Sequence, residues 1–160
     1  CSGKSTIANE LDKLLNKNGY HTMILDGDNI RLGLKIDLKF SNDDRIENIR
    51  RIAEVAKLMN DAGLINIVSF ISPLEINRIM AKQIIGDKFF LVYVNTSLEE
   101  CEKRDKKGLY KKARNGEIKD FTGINSPFDI PKNADVIVDN IDYKECANKI
   151  YNAIEKRIKL

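Results

Sequence analysis

"CSGKST", the stretch Cys1–Thr6, ends in the residues with which a phosphate-binding loop passes into its helix. In the full motif, G-x-x-x-x-G-K-[ST], backbone N–H groups surround phosphates, the lysine reaches the terminal phosphates and the hydroxyl ligates magnesium. Gly3, Lys4 and Ser5 match the end of that motif, and its first glycine would fall three residues before Cys1. Because a bare Gly-Lys-Ser also occurs by chance, the residues around it decide its meaning.

The residues that follow the loop have the pattern of a helix and then a strand. Thr6–Asn18 is predicted to be a helix closed by Gly19, because one of its sides is apolar, with Ile7, Leu11, Leu14 and Leu15. The next strand ends in "LDGDN", which places Asp26 and Asp28 at its carboxyl end, where ligands bind in open α/β sheets. A phosphate-binding loop followed by two carboxylates favours a nucleotide enzyme over a chance string.

Strands and helices continue to alternate along the chain. Besides His21–Leu25, the short β-rich runs that predict buried strands are Ile65–Ile71, Phe89–Val94 and a run around Val136. Asp44–Met59 is the clearest helix between them, with an apolar stripe formed by Ile46, Ile49, Ala53, Ala56 and Met59. The last helix is amphipathic through Ile150, Ile154 and Ile158. Strands that are apolar on both faces predict an α/β fold, a mostly parallel sheet with helices on both faces.

Size and composition describe an ordinary globular protein. The chain has 160 residues, 42% of them hydrophobic and 32% charged, which fits a single domain over residues 1–160. Its net charge of +3 is too small to predict a nucleic-acid partner. Three cysteines without a C-x-x-C pair predict reduced thiols. Without a membrane-length apolar run or a leader, we expect a cytoplasmic protein with no membrane partner.

One segment, Asp105–Pro131, breaks the alternation of strands and helices. It is basic at first, contains several glycines and has no buried-strand pattern. A connection of this length inside a compact domain is more often a functional lid than a passive loop.

Five stretches of the sequence occur in the same order in a known family of kinases. They are "SGKST", "LDGDNIRLGL", "FSNDDRIENIRRIAEVAKLMNDAGLI", "SFISP" and "CEKRDKKGLYKKARNGEIKDFTGI", and the matching region runs from Ser2 to about Pro131. On these stretches the sequence resembles the adenylyl-sulfate (APS) kinases, which transfer the γ-phosphate of ATP to the 3′-hydroxyl of adenosine 5′-phosphosulfate. The resemblance implies a P-loop kinase fold with a basic lid at about 105–131.

The resemblance also implies where ATP and magnesium bind. Arg104 would pack near the ATP base, and the phosphates and magnesium would be held by Ser2, Gly3, Lys4, Ser5 and Thr6. Asp26 and Asp28 would lie beside the transferring phosphoryl group, one orienting or deprotonating the acceptor hydroxyl and the other acting on magnesium through water. The expected metal ligands are Ser5 and Asp28, with Mg²⁺ as cofactor and ATP as co-substrate. Phosphoryl transfer needs mainly positioning and charge neutralisation, which these groups supply.

The acceptor nucleotide would bind on the other side of the acidic pair. The residues that match this site in the family are Asp26, Asp28, Asn29, Arg31, Phe40, Arg45, Asn48, Ile71, Ser72, Lys107 and Phe121. An arginine fork suits an anionic phosphosulfate, and aromatic faces suit a base. Ser72 matches a serine often described as a phosphoserine intermediate, so it joins Lys4 and the two acids as a catalytic candidate, although direct in-line transfer needs no such intermediate.

Three positions depart from the family pattern. Leu74 stands where an aromatic residue is common, Asp120 where a glycine is common and Leu32 where a polar residue is usual. A carboxylate beside Phe121 alters a pocket for an anionic nucleotide, and it could accept a hydrogen bond from the exocyclic amine of adenine or of cytosine. The acceptor's base and 5′-substituent therefore stay open. Adenylyl sulfate is the first expectation, and the alternative is cytidine diphosphoramidate, which a relative of the family phosphorylates on a capsule-modification route.

A hypothesis from another class is a nucleotide-binding module without catalysis. This hypothesis is compatible with a phosphate-binding loop of which only the second half is present. A site that had lost catalysis would be expected to lose some of its functional residues, whereas this sequence keeps Lys4, Asp26, Asp28, Arg31 and Asn48. Since the sheet would lack a central strand, we expect the chain to start late, after about ten further residues that form a short strand and half a loop. Because family members are frequently dimers, a homodimer is also an expectation.

Overall fold

The computed structural model describes residues 1–39, 41–139 and 142–159, except the side chain of Arg31. The strands in these ranges are β1 (Thr22–Asp26), β2 (Ile65–Ser69), β3 (Val92–Val94) and β4 (Val136–Val138). A 3₁₀ helix spans Gly86–Lys88, and the α-helices are α1 (Lys4–Lys17), α2 (Gly27–Arg31), α3 (Asn42–Asp61), α4 (Glu75–Ile85), α5 (Leu98–Lys103), α6 (Leu109–Arg114) and α7 (Tyr143–Ile158). No helix in the described ranges has the length and apolar character needed to span a membrane.

The four strands pair in parallel, as the alternation of strands and helices predicts. β1 pairs with β2 from Thr22 beside Ile65 to Asp26 beside Ser69, and β3 pairs with β4. Within the described residues these are two two-stranded ladders rather than one continuous sheet. The register brings the carboxyl ends of β1 and β2 side by side, which places Asp26 and Ser69 at the same edge.

The third predicted strand is shorter than its apolar run. Of Phe89–Val94, β3 keeps only the last three residues. Phe89 closes the 3₁₀ helix by donating its N–H to the Gly86 carbonyl at 3.0 Å. Leu91 donates its N–H to Asp135 Oδ2 at 2.7 Å. Because these N–H groups are paired outside the ladder, regular strand pairing begins only after them.

Helices cover both faces of the paired strands. On one face, α1 and α7 pack with the strands in a core whose buried members include Leu15, Val138 and Ile150. On the other face, Leu25 packs against Ile52 and Ala56 of α3. The two faces alternate along β2, where Ile67 contacts the first core and Asn66 donates to the Ala56 carbonyl at 3.1 Å.

The face that α3 buries differs from the predicted stripe. The helix begins after Ser41, whose hydroxyl accepts from the Asp44 N–H at 3.1 Å. Its buried residues are Asn48, Ile49, Ile52, Ala53 and Ala56. The assignment of Ile46 to the buried stripe is wrong, since 36% of it is exposed. At 100° per residue, Ile46 lies roughly a quarter-turn from the centre of the face that meets β1 and α4.

The segment predicted as a lid, Asp105–Pro131, contains one short helix. Gly108 precedes α6 in the left-handed region, with φ 64. After α6 the chain makes a turn closed by the Gly123 N–H, which donates to the Ser126 carbonyl at 2.9 Å. The segment contains no strand of the two ladders, which agrees with the absence of a buried-strand pattern in its sequence.

Candidate active site

The predicted phosphate-binding residues form the N-terminal end of α1. Gly3 precedes the helix with φ 92, a left-handed conformation that glycine adopts without strain. Its carbonyl accepts a hydrogen bond from the Ile7 N–H at 3.0 Å. Ser2 is tied to the end of β3, because its carbonyl accepts from Thr96 Oγ1 at 2.9 Å. The first N–H groups of α1 and its dipole therefore converge on one point, as an anion site requires.

Lys4 is the cation of this loop. Its ammonium lies 3.4 Å from Ser2 Oγ. Burial lowers the pKa of Lys4, and the neighbouring Cys101 and Asp26 oppose that effect. Because a desolvated ammonium gains more from a nearby anion than a solvated one does, Lys4 is suited to bind a polyphosphate.

The ends of β1 and β2 bring an acid and two hydroxyls together beside α1. Ser5 Oγ donates to Asp26 Oδ2 at 2.7 Å and lies 3.5 Å from Ser69 Oγ. The other oxygen of Asp26 accepts from the Asp28 N–H at 3.1 Å and caps α2. Both oxygens of Asp26 are thus oriented by the fold. Sequence reasoning does not identify the buried Ser69, although its place at the carboxyl end of a strand could have pointed to it.

The second acid is exposed and meets the predicted lid. Asp28 Oδ2 lies 3.2 Å from Lys107 Nζ, with 70% and 67% of the two side chains exposed. An exposed pair of this kind is worth little by itself, so an anionic or hydroxyl-bearing ligand can compete for either partner. Thr6 and Asn29 are exposed nearby, at the start of α1 and in α2.

A second contact between α3 and the lid lies at Arg45. Its guanidinium donates from Nη1 to Thr122 Oγ1 at 2.8 Å and from Nη2 to the Asp120 carbonyl. Phe121, between these two residues, meets the ring of Tyr110 edge to face at a centroid distance of 4.9 Å. Arg45 and Phe121, 76 positions apart in the sequence, thereby belong to one contact network.

Asp120, one of the positions that depart from the expected family pattern, has an unusual backbone conformation. Asp120 has φ 56, in the left-handed region. Aspartate is one of the few non-glycine residues that tolerate this conformation. Asp120, at a position where the resemblance leads one to expect glycine, therefore adopts a left-handed turn, and its carbonyl is the group that contacts Arg45.

The other predicted acceptor residues lie in different surroundings. Asn48 is buried in α3, and its Oδ1 has no hydrogen-bond partner among the described residues. Ile71 is 52% exposed just after β2, and Ser72 follows it. Phe40 and the side chain of Arg31 lie outside the described residues, so their predicted roles are without a structural account.

Arg104, predicted to lie beside the ATP base, follows α5. Its Nε donates to Glu100 Oε1 at 2.9 Å, which holds the side chain against its own helix. Its Nη1 is buried and has no hydrogen-bond partner in the described part of the chain. Because a buried donor needs an acceptor, this edge of the guanidinium is suited to contact a ligand.

The oxygen atoms around Ser5 suit a magnesium ion that arrives with a nucleotide. Mg²⁺ prefers oxygen ligands, keeps several waters and commonly binds one or two protein groups together with substrate phosphates. Within the described ranges, no group of three His, Cys, Asp or Glu side chains could hold a metal ion by itself. The Ser5 hydroxyl and the Asp26 carboxylate, 2.7 Å apart, therefore fit a metal shared with phosphates.

Known proteins resemble this chain over nearly its whole length. An adenylyl-sulfate kinase of Clostridium kluyveri is 52% identical over 159 residues, which cover 98% of this chain and 80% of that protein. An adenylyl-sulfate kinase of Clostridium acetobutylicum is 51% identical over 158 residues, covering 99% and 78%. The solved structure of the Mycobacterium tuberculosis APS kinase CysC in complex with AMPPNP and APS matches with a TM-score of 0.93 at 44% identity, covering 96% of this chain and 91% of that chain.

A family model covers the same region as the site. The model of the adenylylsulphate kinase family matches residues 1–139. This range contains the loop at Lys4, the acids Asp26 and Asp28, and the whole segment predicted as a lid. The P-loop kinase fold and the kinase family that the sequence predicts are therefore confirmed, and this chain belongs to the adenylylsulphate kinase family.

Proposed function

We propose that this chain is an adenylyl-sulfate kinase, which transfers the γ-phosphate of ATP to the 3′-hydroxyl of adenylyl sulfate. The observation that carries the proposal is the contact between Ser5 and Asp26 beside Lys4, because it joins a phosphate-binding helix end to an acid. The relatives described above are named adenylyl-sulfate kinases. The matching solved structure holds AMPPNP, an ATP analogue, together with APS.

The first turn of α1 would bind the terminal phosphates of ATP. Its N–H groups and the Lys4 ammonium supply positive charge at one point, and phosphoryl transfer needs this neutralisation more than it needs covalent chemistry. Mg²⁺, when bound with ATP, would neutralise further charge on the β- and γ-phosphates. The 2.7 Å contact with Ser5 favours Asp26 as the acid beside the metal, rather than the predicted Asp28.

Asp28 would then serve the acceptor. Its carboxylate is exposed and lies beside the lid rather than against Ser5, so it can orient the 3′-hydroxyl and take its proton as the phosphorus–oxygen bond forms. Lys107, 3.2 Å away, would turn to the anionic 5′-group of the acceptor. Direct transfer of this kind needs no phosphoserine, so Ser72 would act only through the position of its backbone or hydroxyl.

The lid would complete the acceptor site and exclude water. Arg45 already contacts the lid at Thr122, and Phe121 is the aromatic residue at that contact. A base stacked on an aromatic ring and an anion beside an arginine are both favourable in a site from which water is excluded. Closure would also limit the loss of ATP to hydrolysis.

Steady-state kinetics with purified protein test the proposal. With ATP, Mg²⁺ and adenylyl sulfate, we expect one ADP for each adenylyl sulfate phosphorylated at the 3′-position, identified by phosphorus NMR. We expect kcat/KM for cytidine diphosphoramidate to be at least about a hundredfold lower, since the acceptor pocket discriminates by several contacts. A preference for the cytidine conjugate would overturn the acceptor assignment. Absence of ADP formation with both acceptors would favour the noncatalytic module.

Two further proposals extend this function. Ser72→Ala should retain near-normal turnover, because the transfer is direct; a loss comparable to that of Lys4→Ala would favour a covalent route.

The second proposal, that the protein is a homodimer, rests on the resemblance to a family whose members are frequently dimers. Analytical ultracentrifugation would show about twice the mass of one chain, and a single species of monomer mass would contradict it.

A further inference from the structure

Arg78 is a buried cation at the start of α4, outside the residues assigned to the site so far. Only 4% of it is exposed. Its guanidinium donates to the Ser72 carbonyl at 2.6 Å, to the Asp129 carbonyl at 2.7 Å and to Glu75 Oε2 at 2.5 and 3.1 Å. One side chain therefore bridges the corner after β2, which carries Ser72, to the end of the lid.

The lid end is held at this point from several directions. The Asp129 N–H donates to the Pro73 carbonyl at 2.7 Å, and Asp129 Oδ2 accepts from the Glu75 N–H at 2.9 Å. The Phe128 ring lies 5.9 Å from the Arg78 guanidinium and stacks on Tyr93 at a centroid distance of 6.3 Å. These contacts form a junction in which Arg78 is the central buried group.

We propose that Arg78 is a positioning residue that holds the lid and the acceptor corner in one fixed relation. The corner is Ile71–Pro73, and the lid end is Phe128–Asp129. This inference rests on the proposed function, since it assigns Arg78 a part in acceptor binding and in lid closure. Arg78 touches neither the phosphate loop nor the acidic pair in the described structure, so it acts through the two segments that it joins.

The geometry requires an arginine rather than any cation. Three acceptors lie around a planar group: two backbone carbonyls from segments 57 positions apart and one carboxylate. A guanidinium offers five donors in a fixed fork, whereas a lysine ammonium is a point charge on a flexible stem. Arg78→Lys should therefore keep the charge and lose the bridge.

The effect should appear in acceptor binding and in the coupling of hydrolysis to transfer. For Arg78→Lys and Arg78→Met we expect KM for adenylyl sulfate to rise about tenfold or more, the equivalent of one charge-assisted hydrogen bond, while KM for ATP stays within about threefold. The ratio of ADP to phosphorylated acceptor should rise above one, because a loosely anchored lid admits water. A smaller fraction of folded enzyme would lower kcat but change neither KM nor this ratio.

Two further variants keep the test independent of folding. Phe128→Ala removes an exposed ring from the same junction and should raise the same ratio. Arg157→Met is the matched control, since Arg157 also contacts a backbone carbonyl, Phe89 O, an acid, Asp135, and a ring, Phe90, but near the other end of the strands. It should leave KM and the ratio unchanged.

Limited proteolysis reports on the junction even without catalysis. Trypsin can cut in the lid after Lys111, Lys112 and Arg114, which are exposed. With AMPPNP present, Arg78→Met should be cut at these sites several-fold faster than the unaltered protein and than Arg157→Met. Equal cleavage rates, or unchanged acceptor KM and ADP ratio in an active Arg78→Lys enzyme, would overturn the inference. Failure of the unaltered protein to phosphorylate adenylyl sulfate would instead refute the proposed function.

Discussion

The proposed phosphate end and the proposed acceptor end of the candidate site are built from different kinds of contact. At the phosphate end, Gly3, Lys4 and Ser5 are consecutive, and Asp26 joins them from the strand that follows their helix. At the acceptor end, partners such as Arg45 and Thr122 are 77 positions apart. Long-range contacts require more of the chain to be ordered. The phosphate end is built mainly on α1 and the strands, with Ser2 held by Thr96 after β3, whereas the acceptor end depends on where the predicted lid lies. Each end can therefore be damaged separately.

Lys4→Ala breaks the phosphate end and should have the largest effect. We expect kcat to fall about a thousandfold with any acceptor, because the desolvated ammonium no longer neutralises the transferring phosphate. The measurement is kcat with adenylyl sulfate and with cytidine diphosphoramidate. The matched control is Lys13→Ala on the same helix, where Lys13 is 70% exposed and paired with Glu10. A loss confined to one acceptor would contradict the division between the two ends.

Phe121→Ala breaks the acceptor end alone. We expect KM for adenylyl sulfate to rise about tenfold, since stacking of a base on an aromatic ring is worth roughly 1–3 kcal/mol. KM for ATP should stay unchanged, because Phe121 contacts Tyr110 within the lid rather than the phosphate loop. Initial rates over a grid of both substrates separate the two constants. Equal increases in both would show that the lid serves the two ligands alike.

Asp120→Gly tests whether the backbone conformation of Asp120 or its carboxylate determines its role in the lid. Glycine removes about 1 kcal/mol of strain at a left-handed position, but it also increases the conformational entropy of the unfolded chain, which offsets part of this gain. The free energy of unfolding should therefore rise by about 0.5 kcal/mol. Urea denaturation measures this change. The preference between adenylyl sulfate and the cytidine conjugate should not change. If that preference shifts, the Asp120 carboxylate itself reads the acceptor's base.

The smallest expected effect is on the free energy of unfolding at low pH. It comes from Asp37, in the connection between α2 and α3, and from Glu47 in α3. Hydrogen bonds from Arg51 lower the pKa of Asp37 from 3.8 to about 2. Those from Arg50 and Arg51 lower the pKa of Glu47 from 4.5 to about 2. Both shifts are downward, so their stabilisation is present above pH 4.5 and is lost as the pH falls toward 2.

The variant Arg51→Met removes the part of this contribution that comes from Arg51 and leaves the hydrogen bonds of Arg50 to Glu47 in place. Arg51 binds both acids with hydrogen bonds of 2.6 to 2.8 Å. Its loss should flatten the decrease in the free energy of unfolding between pH 4.5 and 2, measured by urea denaturation at each pH. Because the acids are exposed, the change should be small. A variant curve parallel to that of the unaltered protein would show that other carboxylates cause the acid sensitivity.

Much of the fold follows from periodicity in the sequence. The helix α1 and the stripe through Ile49, Ala53 and Ala56 were predictable because apolar residues on one face must be buried. The start of the third strand was not predictable, since Leu91 pairs with a side chain that only folding brings near. Ile46 was assigned to the wrong face because the side of a helix that faces the core depends on the elements against which it packs.

The site divides in the same way. The loop was predicted from its Gly-Lys-Ser motif, and the two acids were predicted from their place at the carboxyl end of a strand. Ser69, Thr96 and Arg78 were not, because a serine, a threonine and an arginine outside a motif carry no signal until packing places them. Only the structure shows that Asp26 contacts Ser5 while Asp28 meets Lys107, which separates two acids that the sequence treats as a pair.

By itself, the sequence determined the α/β class, the Gly-Lys-Ser helix start, the acids after β1 and a long basic segment that is predicted to be a lid. These properties depend on residue types at short spacing, so they can be recognised before the chain is folded. The tertiary structure decided which acid lies at the phosphate loop, which residues hold the lid and how Arg78 joins it to the corner after β2. Those contacts link distant segments, and the balance of packing and hydrogen bonding that brings them together is a property of the whole fold.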